Sequence, residues 1–222
     1  MTIQPVCVFD FDGVLADTLA NMLDFSAQAC EAVGYPCKPT RSDLDALDNM
    51  SFADLGRQLE IPEDLIGEFN HQVITLFAAN VKPPSAFPGM PEVIRKIPQD
   101  IPLGIVTGNT AQAVNLFLQK YELEKRFALI IDVHGNGTRA EKILHVAYAL
   151  GQPGSPILLV GDAISDIRAA RQIHANVISV TWGHQSRAKL SQGEPDFLVD
   201  SPVDLFQAIQ SWIKSQQETR KE

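Results

Sequence analysis

The stretch VCVFDFDG, residues 6–13, decides how the chain is organised. Its first four residues form a continuous apolar run, which is typical of a strand buried on both faces of a parallel sheet. The run ends at Asp10 and Asp12, whose period-2 spacing points both carboxylates to the same side. Because ligands bind at the carboxyl ends of strands in open α/β sheets, we expect both side chains to lie where chemistry takes place.

Two carboxylates this close repel each other, and the pKa of one of them rises unless a cation neutralises the pair. A divalent ion that prefers oxygen ligands, most naturally Mg²⁺, would neutralise it. Asp-Gly is also a common turn signal, so Asp10 and Asp12 could instead be turn formers. The residues that decide between these interpretations lie farther along the chain.

The composition predicts a folded protein without a broad basic surface. Of the 222 residues, 45% are hydrophobic, as in ordinary globular proteins. The 18 Lys and Arg residues and the 27 Asp and Glu residues give a net charge of −9, which disfavours nucleic acid and anionic membranes as partners. A phosphate could still bind locally, through a metal ion and backbone N–H groups.

The cysteines and the apolar runs predict the location of the protein. Cys7, Cys30 and Cys37 lack the spacing of a metal site, and their small, odd number indicates reduced thiols. No segment has the pattern of a signal peptide, and no apolar run approaches transmembrane length. We therefore expect a cytoplasmic protein.

The apolar pattern divides the chain into two parts. Beyond residue 83, apolar runs alternate with helical segments, which predicts a doubly wound, mostly parallel α/β sheet. Residues 17–82 have a helical pattern without a parallel-sheet strand. We expect an α/β core from residues 1–16 and 83–222, with a small all-helical insertion at 17–82. The apolar runs that predict strands are residues 6–9, 103–107, 128–131, 157–160, 177–180 and 197–199.

Two further strand ends carry polar side chains. After the strand at 103–107, the Thr107 hydroxyl and the N–H groups at the following helix start suit a phosphate, although the stretch could be an ordinary turn. Asp162 follows the strand at 157–160, and Asp166 lies one helical turn later. These two carboxylates suit a metal site, although Asp162 could be only a helix cap and Asp166 a favourable charge at a helix N-terminus.

Two cations lie near the start of the predicted helix at 139–150. Arg139 and Lys142 are poorly placed there because the helix dipole disfavours positive charge at an N-terminus. A substrate phosphate or the carboxylates would compensate for this cost. Either cation could instead be a solvated surface charge.

The order of these signals is more specific than any one of them. Asp-x-Asp-Gly, Thr-Gly-Asn, a cation at a helix start and Gly-Asp-x-x-x-Asp resemble the motifs of the haloacid dehalogenase-like superfamily. GDAISDIRAA, residues 161–170, and TWG, residues 181–183, resemble its phosphoglycolate-phosphatase-like branch. The helical insertion resembles the cap of that branch, and the resemblance covers the chain outside the insertion.

The resemblance implies a Rossmann-like core and a Mg²⁺-dependent phosphatase for a small phosphomonoester such as phosphoglycolate. It implies that Asp10 is the nucleophile that forms an aspartyl-phosphate, and that Asp12 is the general acid and base. The metal ligands that it implies are Asp10, Asp12 (through its backbone carbonyl), Asp162 and Asp166, with Asp166 alternatively orienting the other ligands.

The phosphate-binding residues implied in the same way are Thr107, Gly108, Asn109, Arg139 and Lys142. The family usually has a lysine in the third motif, and in ungapped register this position falls nearer Arg139 than Lys142. Both remain candidates. Arg41, Arg57 and Lys82 are cations of the insertion that could bind a second anionic group of the substrate, or lie solvated at the surface.

Other activities are compatible with part of this pattern. A phosphomutase that acts on a sugar phosphate keeps both carboxylates and the same nucleophile. A signalling domain or another non-catalytic relative would bind a phosphorylated ligand without turnover. Dehalogenase relatives lack the acid at the position of Asp12, which disfavours cleavage of a carbon–halogen bond.

Overall fold

The structure is a computed structural model that describes residues 4–80 and 82–218. The predicted division into core and insertion also includes residues 1–3, 81 and 219–222, which lie outside the described residues. The strands are β1 Val6–Phe9, β2 Ala16–Asp17, β3 Ser85–Ala86, β4 Leu103–Val106, β5 Phe127–Ile131, β6 Ile157–Gly161, β7 Asn176–Val180 and β8 Phe197–Val199.

Within the described ranges, six of these strands form one parallel sheet in the order β5-β4-β1-β6-β7-β8. All four residues of β1 are buried, as the apolar run predicts. Their side chains alternate between two apolar clusters, with Cys7 and Phe9 in one and Val6 and Val8 in the other. The sheet therefore has a hydrophobic core on each face.

Helices cover both faces of this sheet. The helices outside the insertion are α5 Met90–Lys96, α6 Ala111–Lys120, α7 Arg139–Leu150, α8 Ile164–Gln172, α9 Arg187–Ser191 and α10 Pro202–Glu218. The apolar sides of α5, α6 and α10 pack on one face, and those of α7, α8 and α9 pack on the other. The predicted doubly wound α/β fold is confirmed.

Four helices occupy the region of the insertion, with apolar clusters of their own. They are α1 Leu19–Ala32, α2 Arg41–Ala46, α3 Phe52–Gln58 and α4 Glu63–Ala79. The chain enters this region through β2 and leaves it through β3, and the two strands pair antiparallel. This short ribbon fixes the two connections side by side.

The prediction that all three cysteines are reduced is wrong for two of them. Cys30 and Cys37 form a disulfide, with their Cα atoms 5.7 Å apart. Gly34 has a φ of 75° in the turn after α1, and this turn brings the two cysteines together over a short sequence distance. Cys7 remains a free thiol in the sheet, where burial raises its pKa to about 12.

Candidate active site

The strand order places three predicted motifs at one edge of the sheet. Strand β1 lies between β4 and β6. Asp10, Thr107 and Asp162 follow these three strands directly, so their side chains meet at the carboxyl edge. The backbone N–H of Asp10 still donates to Val160 of β6 at 2.9 Å, which holds Asp10 at the tip of the sheet.

Three carboxylates form an acidic cluster at this edge. Asp10, Asp162 and Asp166 each offer an oxygen atom, and these oxygens all lie within 4.8 Å of one another. Burial and the neighbouring carboxylates raise the pKa of Asp10 well above its usual range, against the lowering effect of Arg139. Burial also raises the pKa of Asp166, again against the effect of Arg139. The cluster therefore needs positive charge nearby to be fully ionised.

Asp166 orients the loop that carries Asp162. Its Oδ2 accepts hydrogen bonds from the backbone N–H groups of Asp162 at 3.2 Å and Ala163 at 3.1 Å, as a capping residue at the start of α8 does. Its Oδ1 faces Arg139. One carboxylate thus fixes its own loop and contributes charge to the cluster.

Arg139 is the cation that the structure brings to the acidic cluster. Its guanidinium lies 2.6 Å from Asp10 Oδ2 and 2.5 Å from Asp166 Oδ1. These carboxylates raise the pKa of Arg139, outweighing the opposing effect of its burial. Thr138 caps α7 by accepting from the N–H of Glu141, which fixes the first turn that carries Arg139. The anion that the helix start requires is therefore the cluster itself.

Lys142 points away from this cluster. Its Nζ donates to the backbone carbonyl of Asp132 at 3.0 Å, in the loop after β5. The structure thus separates the two cations that the sequence leaves as alternatives, and it places Arg139 at the site.

Asp12 lies outside these ion pairs, and its carboxylate is instead contacted by residues that follow the neighbouring strand β4. The Thr107 hydroxyl lies 3.3 Å from its Oδ2, and Asn109 Nδ2 donates to its Oδ1 at 3.1 Å. Burial raises the pKa of Asp12, against the lowering effects of His184 and of these hydrogen bonds. The N–H of Asn109 donates to Thr107 Oγ1 at 2.9 Å, whereas the N–H of Gly108 has no partner among the described residues.

His184 is a buried site residue that the sequence does not identify. Its Nδ1 lies 2.8 Å from Asp162 Oδ2, and its backbone N–H donates to the same oxygen at 2.7 Å. The Asp162 carboxylate raises the pKa of His184 to about 9, although burial acts in the opposite direction. Its position after TWG could draw attention to it, but a single histidine has no diagnostic spacing.

Two glycines permit the close approach around Asp162. A Cβ atom at Gly13, where φ is 75°, or at Gly183 would overlap the Asp162 carboxylate. Both positions therefore require glycine for the same reason, since any side chain would displace a carboxylate of the cluster.

A loop that we call the docking loop, residues 183–186, joins the insertion to this site. Arg41, the first residue of α2, donates to the Gly183 carbonyl at 2.7 Å. Asp45 accepts hydrogen bonds from the Ser186 N–H at 2.6 Å and its hydroxyl at 2.9 Å. Because His184 lies in the same loop, the position of α2 is linked to that of Asp162.

Gln185 completes the docking loop from a buried position. Its Nε2 donates to the Leu47 carbonyl at 2.7 Å and to the Leu44 carbonyl at 3.3 Å. Its Oε1 accepts from the N–H of Ile164 at 2.7 Å, at the start of α8. One side chain therefore spans the insertion and the core.

The other cations considered for the insertion lie at its surface. Arg57 is half-exposed and pairs with Asp54 at 3.0 Å and with Glu63 at 2.9 Å. Lys82 is exposed next to Pro83 in the segment that returns to the core. Neither residue lines the cavity described next.

A cavity of about 630 Å³ lies between the acidic cluster and the insertion. Asp10, Asp12 and Asp162 line it from the sheet edge, together with Gly108 and His184. Its volume is within the range of small-molecule sites. The cluster thus faces a space that can hold a substrate.

A parallel sheet that gathers buried carboxylates and an arginine at its carboxyl edge, below a cavity, defines an α/β enzyme. The chain belongs to the haloacid dehalogenase-like hydrolase family, which it matches over residues 7–180. The resemblance found in the motifs is therefore confirmed.

Relatives of similar length extend this match. A phosphoglycolate phosphatase from Synechococcus elongatus is 26% identical over 203 residues, covering 91% of this chain and 95% of its own. A phosphoglycolate phosphatase from Agrobacterium fabrum is 28% identical over 218 residues, covering 93% of both chains.

Solved structures share the fold. A haloacid dehalogenase-like hydrolase from Streptococcus pneumoniae has a TM-score of 0.79 at 19% identity, covering 94% of this chain and 100% of that one. A hydrolase from Pseudomonas syringae has a TM-score of 0.75 at 20% identity, covering 94% and 99%. In the described part of this chain, no helix is both long and apolar enough to span a membrane.

Proposed function

We propose that this hydrolase is a Mg²⁺-dependent phosphatase that cleaves a phosphomonoester through an aspartyl-phosphate on Asp10. The observation that supports the proposal is that the two carboxylates at the end of β1 have different surroundings. Asp10 lies in the acidic cluster beside Arg139, whereas Asp12 lies outside the ion pairs, among neutral hydrogen-bond donors. The relatives named phosphoglycolate phosphatases support this class of reaction.

The donor set of the cluster suits Mg²⁺. Asp10, Asp162 and Asp166 offer three carboxylate oxygens within reach of one ion, and oxygen is the ligand that this cation prefers. Burial, together with the neighbouring carboxylates, raises the pKa of Asp10 and of Asp166, so a bound cation would favour their ionised forms. When bound by these residues and the Asp12 carbonyl, Mg²⁺ would offset the repulsion between an anionic nucleophile and an anionic phosphate.

In the first step, a carboxylate oxygen of Asp10 attacks phosphorus in line with the ester oxygen. The bond between phosphorus and the ester oxygen breaks, and Asp12 gives its proton to the leaving alcohol. The Thr107 hydroxyl and the unpartnered N–H of Gly108 bind the non-bridging oxygens. Arg139 holds Asp10 in position and stabilises negative charge on the phosphoryl group.

In the second step, Asp12 takes a proton from water, whose oxygen attacks phosphorus. The bond between phosphorus and Asp10 breaks, so that inorganic phosphate leaves and the Asp10 carboxylate is restored. Asp12 ends the cycle protonated, ready for the next leaving group.

The direct test is phosphate release from p-nitrophenyl phosphate in the presence and absence of Mg²⁺. We expect turnover with Mg²⁺, its loss in excess EDTA, and its recovery when Mg²⁺ is restored. Any turnover of a sugar phosphate should yield inorganic phosphate, whereas transfer of the phosphoryl group to a second position of the sugar would indicate a mutase. Absence of phosphate release under every metal condition would refute the proposal.

A matched pair of variants tests which cation serves the phosphate. We expect Arg139→Met to lower kcat/KM about 100-fold, because it removes a buried donor from the charged transition state. Lys142→Met should stay within about threefold of the wild type, since Lys142 binds the Asp132 carbonyl instead. Thermal melts check that both variants fold. A larger loss for Lys142→Met than for Arg139→Met would reverse the assignment.

A further inference from the structure

Most of the residues that the insertion presents to the cavity are apolar. Eight apolar side chains from the insertion line the space opposite the acidic cluster, and they come from α1, α2, α3, α4 and the loop between α2 and α3. They are Met22, Leu44, Leu47, Met50, Phe52, Leu55, Ile74 and Phe77. We call this set the apolar wall.

The apolar wall contains a fixed aromatic group. Phe77 packs edge-to-face on Phe25, with ring centroids 4.9 Å apart, and lies 5.6 Å from the ring of Phe52. These contacts hold the ring of Phe77 in place between α1 and α3. Met22 and Met50 lie in the same wall, and their flexible thioethers can adapt to different shapes. The apolar wall thus combines a fixed aromatic ring with flexible methionine side chains.

The cavity has no free cation for a second anionic group among the described residues. Three cations line it: Arg139, Arg168 and His184, the last of which pairs with Asp162 at 2.8 Å. The first is bound by the acidic cluster, and the second lies 3.2 Å from Asp48 Oδ2 at an exposed position. Arg41 is held by carbonyls of the docking loop. The carboxylate of a substrate such as phosphoglycolate would therefore lie against apolar side chains without a counter-ion, which is costly.

Among the described residues, the insertion also contributes four polar residues to the cavity lining, Asp48, Asn49, Ser51 and Asn70. Asp48 pairs with Arg168 and Lys189. Ser51 donates its hydroxyl to Asp54 at 2.6 Å, and Asn49 donates its amide to the same carboxylate at 2.9 Å. Asn70 is a neutral exception on α4. A neutral group with little polarity fits this lining better than a carboxylate or a sugar does.

We propose that the substrate of this enzyme is a phosphate ester whose organic part is uncharged, predominantly apolar and larger than glycolate. This inference rests on the proposed phosphatase function. The phosphate binds at the acidic cluster, and the alkyl or aryl group lies against the apolar wall. The volume of about 630 Å³ provides room for a group of this size.

The test compares phosphoglycolate with methyl, propyl, butyl and hexyl phosphate, each assayed by phosphate release in Mg²⁺. These alkyl esters have leaving groups of similar pKa, so differences report binding of the chain. We expect kcat/KM to rise about threefold for each added methylene until the wall is covered, and hexyl phosphate to exceed phosphoglycolate. Equal rates along the series, or a preference for phosphoglycolate, would overturn the inference.

A variant in the apolar wall provides a second test of the inference. Met50→Gln keeps the side-chain length but adds an amide, and we expect it to lower kcat/KM for hexyl phosphate about tenfold. Methyl phosphate, which is too short to reach the wall, should be unaffected. Val203→Thr changes an exposed residue outside the cavity and should leave both esters unchanged. An equal loss on both esters in Met50→Gln would assign the effect to folding and count against the wall.

Binding of alkylphosphonates separates this inference from the function on which it rests. These compounds keep the phosphate-like group and the chain but cannot be hydrolysed, so calorimetry in Mg²⁺ measures recognition alone. Tighter binding of hexylphosphonate than of methylphosphonate supports the apolar wall even if turnover fails. Hydrolysis of methyl phosphate without any preference for chain length would support the phosphatase function but contradict the proposed substrate class.

Discussion

Asp10→Asn is expected to reduce kcat for p-nitrophenyl phosphate by about 10⁴-fold or more. An amide cannot act as the nucleophile, so the covalent intermediate does not form. The change is nearly isosteric and leaves Arg139 paired with Asp166, so we expect the protein to fold normally. Initial rates in saturating Mg²⁺ measure the effect.

The matched control is Asp100→Asn. Asp100 is exposed and precedes β4, at the edge of the sheet opposite to the acidic cluster. The Asp100→Asn variant should retain the wild-type kcat and the wild-type melting temperature. If Asp10→Asn kept even a tenth of the wild-type rate, the nucleophile would have to be another group.

Asp12→Asn should lower the steady-state kcat by about 10³-fold, since an amide neither protonates a leaving oxygen nor activates water. With p-nitrophenyl phosphate the first step depends little on an acid, because p-nitrophenolate leaves readily without a proton. Stopped-flow measurements should therefore show a stoichiometric burst of p-nitrophenolate, followed by slow release of phosphate. The double variant with Asp10→Asn should show no burst.

Two results would contradict this division of roles. A burst that persists in the double variant would place the covalent intermediate elsewhere. Equal losses for hexyl phosphate and p-nitrophenyl phosphate in the first step of Asp12→Asn would show that Asp12 does not act as an acid, because only the alkyl ester needs protonation of its leaving group.

The parallel sheet could be predicted because its signals are local. The apolar runs at 6–9 and 197–199 coincide with β1 and β8, and the run at 103–107 exceeds β4 by one residue. Continuous burial on both faces leaves little choice of residue type in such strands. The helical pattern of residues 17–82 could also be predicted, because the helices there have apolar sides that pack together.

What the sequence missed depends on contacts between distant segments. The partner of Arg41 in the docking loop lies 142 residues away, and no local pattern specifies such a pair. The ribbon of β2 and β3 consists of two residues in each strand, too few for a period-2 pattern. The disulfide between Cys30 and Cys37 depends on the turn at Gly34, which the sequence shows only as the end of a helix.

The site was predicted at the level of residue types but not of all contacts. The strand tips indicated Asp10, Thr107 and Asp162, because parallel strands end at one edge. Arg139 and Lys142 could not be separated, since both lie near the start of one helix and only the packed loops show where each side chain points. The division of the chain at residues 17–82 and the roles of the site residues stay predictions.

The cavity has two sides that come from different parts of the chain: the acidic cluster belongs to the sheet edge, and the apolar wall belongs to the insertion. Mutations in the insertion can therefore change which ester is accepted without altering bond cleavage. Because of this separation, related enzymes can evolve new substrate preferences through mutations in the insertion alone. The separation also recommends a mutant library confined to that wall, selected for growth on chosen esters, as a route to redesigned specificity.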